Sequence, residues 1–113
     1  MKRGDVVLVA LLGDYGKPRP ALVMQGDSLT ADQCSSIVVC PMTSDETGIV
    51  SFRVRVEPTP HNGLHKASEV MVEKIAGVPR TRLREVIGRL EADQIRAVER
   101  ALMLVLGFAE PAR

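Results

Sequence analysis

The chain has no tryptophan, one tyrosine and two phenylalanines among its 113 residues. So few aromatics exclude a binding surface that works mainly by stacking flat ligand groups on rings. An excess of one charge is missing too: 15 lysines and arginines stand against 14 aspartates and glutamates, a net charge of +1. A molecule basic over its whole surface is thereby excluded, and any anion-binding role must come from local patches. Only two cysteines occur, Cys34 and Cys40, with no Cys-x-x-Cys spacing and no histidine pair beside them. They read as small buried hydrophobes rather than a disulfide or a metal site, which suits a reducing cytoplasm. No apolar stretch reaches the roughly 18 residues a membrane span needs. The start, Met1-Lys2-Arg3-Gly4-Asp5 and an apolar run to Leu12, has the outline of a signal peptide. Asp5 inside it, and no small-residue cleavage site closing it, argue against one. A soluble, cytoplasmic protein without membrane contact is expected. The two histidines, His61 and His65, flank Asn62-Gly63 in a turn and lack further ligands nearby, so they read as loop surface, where one of them could still touch a ligand. No metal and no other cofactor is expected.

What is present is a succession of short apolar runs. The length suits one domain spanning residues 1–113, with a modest core that buries about two-thirds of the unfolded surface. Val6 to Leu12, Ala21 to Gln25, Ile37 to Met42 and Val70 to Ile75 read as strands, and Gly26 to Ser35 as a polar connection with room for a helical turn. Ser51 to Glu57 alternates, with Phe52, Val54 and Val56 on one face and Arg53 and Arg55 on the other, a strand half buried and half wet. Pro58 to Gly63 is a loop in which Asn62-Gly63 signals a tight turn. Pro79 suits the first position of a helical turn over Arg80 to Arg84, and Val86-Ile87 a last short strand. From Glu91 the period becomes helical: Ile95, Val98, Leu102, Val105 and Leu106 recur at steps of three and four, and Gly107 closes the helix. The fold class is mainly β with a C-terminal helix, a small, strongly curved sheet or barrel with the helix packed on it.

The order of certain segments says more. Arg3-Gly4-Asp5-Val6-Val7-Leu8-Val9 comes first, then Arg19-Pro20-Ala21-Leu22-Val23, then Pro41-Met42-Thr43-Ser44, then Ile87-Gly88-Arg89-Leu90 and the terminal helix. Taken together and in this order, along essentially the whole chain, they resemble the MazF/PemK family of toxins from type II toxin–antitoxin systems. The resemblance implies an SH3-like β-barrel of the CcdB/Kid/MazF kind and a homodimer. It also implies neutralisation by a cognate antitoxin with an acidic, disordered tail, and sequence-selective cleavage of single-stranded RNA. The family's catalytic arginine and threonine match Arg19 and Thr43. The chemistry agrees: an arginine is permanently charged and forked, so it can hold two phosphoryl oxygens at once. Thr43, with Ser44 beside it, offers hydroxyl donors to the same oxygens.

Tyr15 in the first loop is the aromatic best placed to stack on a base, and equally suited to cover the barrel rim. Near the end of the fifth run, where the family often carries an acidic or amide residue, this chain has Glu73 followed by Lys74. Glu73 and Lys74 are thus candidate substrate contacts, and the general base is left open between Glu73, Asp14 and another group. Five cations between Lys74 and Arg89 (Lys74, Arg80, Arg82, Arg84, Arg89) meet one anion, Glu85. That stretch suits an RNA backbone or an acidic antitoxin tail. Two alternatives differ in class. One is a CcdB-like toxin that binds gyrase without catalysis, whose activity depends on the end of the last helix, commonly on a tryptophan absent here. The other is an inactive toxin homologue, motivated by Lys74.

Overall fold

The computed structural model describes residues 1–10, 17–31, 34–45 and 52–110. Tyr15, Asp14 and most of the first loop lie outside them. In chain order the elements are β1 (Asp5–Val9), β2 (Arg19–Val23), α1 (Asp27–Ala31), β3 (Ser36–Thr43), β4 (Val54–Val56), β5 (Ser68–Val70), β6 (Ala76–Pro79), β7 (Leu83–Arg89) and α2 (Ala92–Val105). One-turn 3-10 helices at Val72–Lys74 and Arg80–Arg82 join β5 to β6 and β6 to β7. The sheet is antiparallel in the order β4-β5-β3-β2-β1-β7, and β6 pairs with β3 beside β5. With β6 and β7 joined by a single tight turn, the path β7-β1-β2-β3-β6 curls back toward its own start, the curved sheet with one C-terminal helix that the sequence predicts.

The middles of the first three strands are apolar at successive positions because both of their faces are packed. Val6, Leu22, Cys40 and Met42 point into a core shared with Val98, Ala101 and Leu102 of α2. Their neighbours Val7, Val9, Ala21, Val23 and Val39 point into a second core that Ile37 and Val78 complete. Each fully buried valine or leucine contributes about 1.5–3 kcal/mol, so these two layers supply most of the stabilisation. Cys40 is wholly buried, and burial pushes its thiol up to about 12, so it stays protonated and inert. Cys34 is only half buried.

The helix behaves as its periodicity predicts. Glu91 and Gln94 form a reciprocal capping box at its start. Gly107 takes a left-handed φ of 79° at its end, and the Phe108 N–H turns back to the Met103 carbonyl at 2.8 Å. Leu106, expected on the core face, sits in the cap and is about half exposed at 49%.

Three expectations are corrected. The run Val70 to Ile75 is not one strand: β5 ends at Val70, and Val72–Lys74 is a 3-10 turn whose Val72 is buried beneath α2. One edge of β3 serves both β5, at Met42 and Thr43, and β6, at Ser36 to Val39, so the chain must step along that edge between them. An unbroken apolar run does not reveal such a step. Secondly, the last strand is seven residues rather than two, with register shifts against β1 on either side of Val7. Pro79 ends β6 and immediately precedes the turn instead of opening it. Thirdly, Arg53 does not face water.

Only 12% of the Arg53 side chain is exposed, and it lies between Glu69 of β5 and Glu73. Its Nε donates to Glu73 Oε2 at 3.0 Å and its Nη1 to Glu69 Oε1 at 3.4 Å. Alternation along a strand reports which residues share a face; it does not report two carboxylates waiting on neighbouring elements. The hydrogen bond from Arg53 holds the Glu73 carboxyl below its usual 4.5, against a smaller opposing effect of burial. A carboxyl whose folded value is depressed adds stability that is present above the unfolded value and lost as pH falls through the folded one. The melting temperature is therefore expected to drop as pH falls below about 4.5. Arg53→Met should lower stability near neutral pH by about 2 kcal/mol and make the acid limb shallower. An unchanged acid limb in that variant would remove the pair from the account.

Candidate active site

The strand register sets the centre of the site. β2 and β3 pair Leu22 with Cys40 and Ala21 with Pro41. Arg19 begins β2 and Thr43 ends β3, each two positions beyond the last pair at the same end of the two strands. Two residues 24 positions apart in sequence thus line one groove. Pro20 restricts the backbone of Arg19 to extended conformations, and Pro18 does the same for Lys17, so both cations leave the sheet in a limited range of directions.

These ends open on a groove of about 720 Å³, within the range of ligand-binding clefts. Leu8, Pro20 and Met42 line its floor. They alternate in phase with Val6, Leu22 and Cys40, so the groove continues the helix-facing side of the sheet past the part that α2 covers. Around it stand Lys17, Arg19, Thr43, Ser44 and Asp45 from the ends of β2 and β3, together with Gly63 to Lys66, Ser68, Met71 and Ile87. Lys17, Arg19 and Lys66 outnumber the single carboxylate, Asp45, so the groove is a local positive site on a nearly neutral protein.

Thr43 is half buried, and its Oγ1 accepts the Asp45 N–H at 3.0 Å. With that lone pair engaged by the backbone, the hydroxyl proton can be donated into the groove. Arg19 and Ser44 are exposed there. Their combination, a guanidinium with two hydroxyls, suits a phosphate diester: charge and forked donors from one strand, neutral donors from the next.

Of the residues singled out in the sequence, the structure brings together Arg19, Thr43 and Ser44. Glu73 and Lys74 are not among the groove residues; Glu73 belongs to the ion cluster with Arg53 and Lys74 is exposed on the 3-10 turn. That cluster still touches the site indirectly, because Glu69 stands opposite Thr43 in the β3–β5 register. Lys17, Asp45 and Lys66 escaped the sequence reading as groove residues, and His65 was taken mainly for loop surface. Lys17 had a signal in its place two residues before Arg19, but the wall formed by His65 and Lys66 depends on how a distant loop folds back. The other histidine, His61, faces Glu91 at 3.7 Å and is not among the groove residues. The basic stretch from Lys74 to Arg89 is not one free face either. Arg80 donates to the Cys34 and Thr30 carbonyls, Arg82 to that of Ala10, and Arg89 to the Asp5 carboxylate at 2.9 Å. Among the described residues, no group of three or more histidine, cysteine, aspartate or glutamate side chains could hold a metal ion. None of their helices is long and apolar enough to cross a membrane.

Comparison with known proteins agrees with this arrangement. Residues 2–106 match the family model described as PemK-like, MazF-like toxin of type II toxin–antitoxin system. The chain is 43% identical over 111 residues to a protein of Mycolicibacterium smegmatis named probable endoribonuclease MazF, covering 96% of this chain and 99% of that protein. Among solved structures it resembles an endoribonuclease in complex with its cognate antitoxin from a mycobacterial species, at TM-score 0.80 and 19% identity, covering 98% and 99% of the two chains. It also resembles a MazE–MazF structure from Deinococcus radiodurans, at TM-score 0.76 and 25% identity, covering 95% of each chain. With the curved sheet, the helix and the collinear motifs, these matches show that the chain belongs to the PemK-like, MazF-like family of type II toxin–antitoxin toxins.

Proposed function

We propose that this protein is an endoribonuclease that cuts single-stranded RNA at a short sequence motif, without a metal, by attack of the substrate's own 2′-hydroxyl. The observation that carries the reading is the meeting of Arg19 and Thr43 at one positive groove. In that reaction the 2′-oxygen attacks phosphorus, the bond to the 5′-oxygen breaks, and a 2′,3′-cyclic phosphate remains. Negative charge builds on the phosphoryl oxygens in the transition state. Arg19 clamps two of them and stands as the acid nearest the departing oxygen, while the Thr43 hydroxyl donates to the same group, with Ser44 as a further contact.

The reading extends to a homodimer acting in the cytoplasm and neutralised by a cognate antitoxin whose acidic, disordered tail suits the groove's positive walls and exposed Arg84. A protein eluting at the size of one 12.3 kDa chain at micromolar concentration would remove the dimer from it. Gyrase poisoning has no support here, since the relatives are MazF proteins and the helix ends in Gly107-Phe108 without a tryptophan. The motive for an inactive homologue weakens as well, because Lys74 is not among the groove residues.

The test uses a single-stranded RNA whose cleavage site has been mapped on a long transcript. Cleavage is expected to persist in excess EDTA and to leave a cyclic phosphate. Deoxyribose at the one sugar on the 5′ side of the scissile bond should abolish the cut but not binding. Cutting of the deoxy strand, or activity lost to EDTA and regained with magnesium, would overturn the mechanism.

A further inference from the structure

The reaction needs a group to take the proton from the attacking 2′-hydroxyl, and neither Arg19 nor Thr43 is suited to it. An arginine is protonated at all accessible pH, and the Thr43 oxygen already accepts the Asp45 N–H. Glu73 is engaged by Arg53, whose hydrogen bond holds its carboxyl below the usual value and so makes it a weaker base than an ordinary glutamate. Among the described groove residues, two side chains can accept a proton: His65 and Asp45. Resting on the function proposed above, we infer that His65 is the general base of this enzyme.

Two arguments favour His65 over Asp45. The first is chemical: histidine is the side chain most often used as a positioned general base. The second is the construction of the loop that presents it. Asn62 is 2% exposed, and its side chain accepts the Thr59 and Leu64 N–H groups, each at 3.0 Å, while donating to the Glu57 carbonyl at 2.9 Å. Gly63 packs its backbone so closely on Ile87 that a β-carbon there would lie 2.0 Å from the Ile87 carbonyl oxygen. Leu64 is buried in the core beneath. On the far side, the Ser68 hydroxyl donates to the Lys66 carbonyl at 2.9 Å. Between these anchors His65 and Lys66 are exposed and line the groove. A loop tied at both ends limits where the imidazole can travel, which is what a positioned base requires.

In the step proposed, the 2′-oxygen-to-phosphorus bond forms as the phosphorus-to-5′-oxygen bond breaks. The 2′ proton passes to the neutral ring of His65, which later releases it to water. The departing 5′-oxygen takes a proton from the Arg19 side of the groove, replaced from solvent. The charged groups lining the groove with His65 are Lys17 and Arg19 at the start of β2, Asp45 after β3, and its neighbour Lys66.

The experiment compares the full-length protein with His65→Ala and His65→Gln on the mapped RNA and on the same RNA with sulfur in place of the bridging 5′-oxygen. A thiolate leaves without being protonated, so the sulfur substrate isolates the base from the acid. Both variants are expected to keep the parent's melting temperature, since His65 is exposed. They should lose about 100-fold or more in kcat with little change in KM, and lose the acid limb of the parent's pH–rate profile. The defect should persist on the sulfur substrate. Full activity in either variant, a change confined to KM, an unchanged pH profile, or recovery on the sulfur substrate would each overturn the assignment; the last would make His65 an acid. A parent that cuts no RNA, or cuts the deoxy-substituted strand, would instead refute the function on which the inference rests.

Discussion

Arg19→Ala is expected to leave a folded protein whose RNA cleavage is about 100- to 1,000-fold slower, the cost usual for removing one preorganised donor from an anionic transition state. Arg19 is exposed at the first position of β2, so the substitution empties no core and the melting temperature should hold. What is lost is the only permanently charged fork among the described groove residues. Lys17 and Lys66 remain there, but an ammonium group is a point charge and cannot span two phosphoryl oxygens. For the same reason Arg19→Lys should recover little. Expression of the parent without an antitoxin should arrest growth, and the alanine variant should relieve that arrest. Thr43→Ala should cost less, about tenfold, because it removes one neutral donor and Ser44 offers a second hydroxyl beside it. An Arg19→Ala protein as active in vitro and as toxic as the parent would displace the catalytic centre from this end of the sheet.

The second large effect lies in the backbone. Gly63→Ala is expected to destabilise the protein by about 4 kcal/mol or more, a substantial part of what a domain this size has in hand. Two causes add. Gly63 has φ of +71°, which an L-residue adopts only under strain, and its β-carbon would collide with the Ile87 carbonyl carbon at 2.7 Å as well as with the oxygen. Neither obstacle is the end of a flexible side chain. The crossing is tight from the other side too: a β-carbon on Gly88 would lie 2.2 Å from the Asn62 carbonyl carbon. Gly26→Ala is the matched control, because a β-carbon there meets nothing within 4 Å, and its change should stay within about 1 kcal/mol. Equal melting temperatures for the Gly63 and Gly26 variants would show that the loop can leave β7. Since Gly63, His65 and Ile87 all line the groove, whatever Gly63→Ala protein folds should also cut RNA poorly.

Much of the fold was legible because its signals are local. The strands β1, β2 and β3 announce themselves as apolar runs, and α2 by apolar residues at steps of three and four; each period follows from backbone geometry alone. Arg19 and Thr43 were legible through the collinear motifs, which carry the family's pattern along the chain. Arg53 shows where such reading stops. Its alternation with Val54 and Val56 assigned it to water, and only the folding of β5 and the following turn brought two carboxylates onto it. The same holds for the step between β5 and β6, since an apolar run reads alike whether the chain continues straight or turns to follow a neighbour's edge.

The sequence by itself determined the kind of molecule: a mainly β toxin fold with one amphipathic helix, two buried strand faces and an arginine set between prolines. Only the tertiary structure decided what stands beside that arginine. The pairing of β2 with β3 brought Thr43 to the same end of the sheet, the coverage of the sheet by α2 left the groove open, and the packing of Gly63 against Ile87 brought His65 and Lys66 into the lining of that groove. Those neighbours come from segments more than 20 residues apart. No local propensity encodes their meeting, because it depends on strand register and on close backbone contact, which exist only once the sheet has formed.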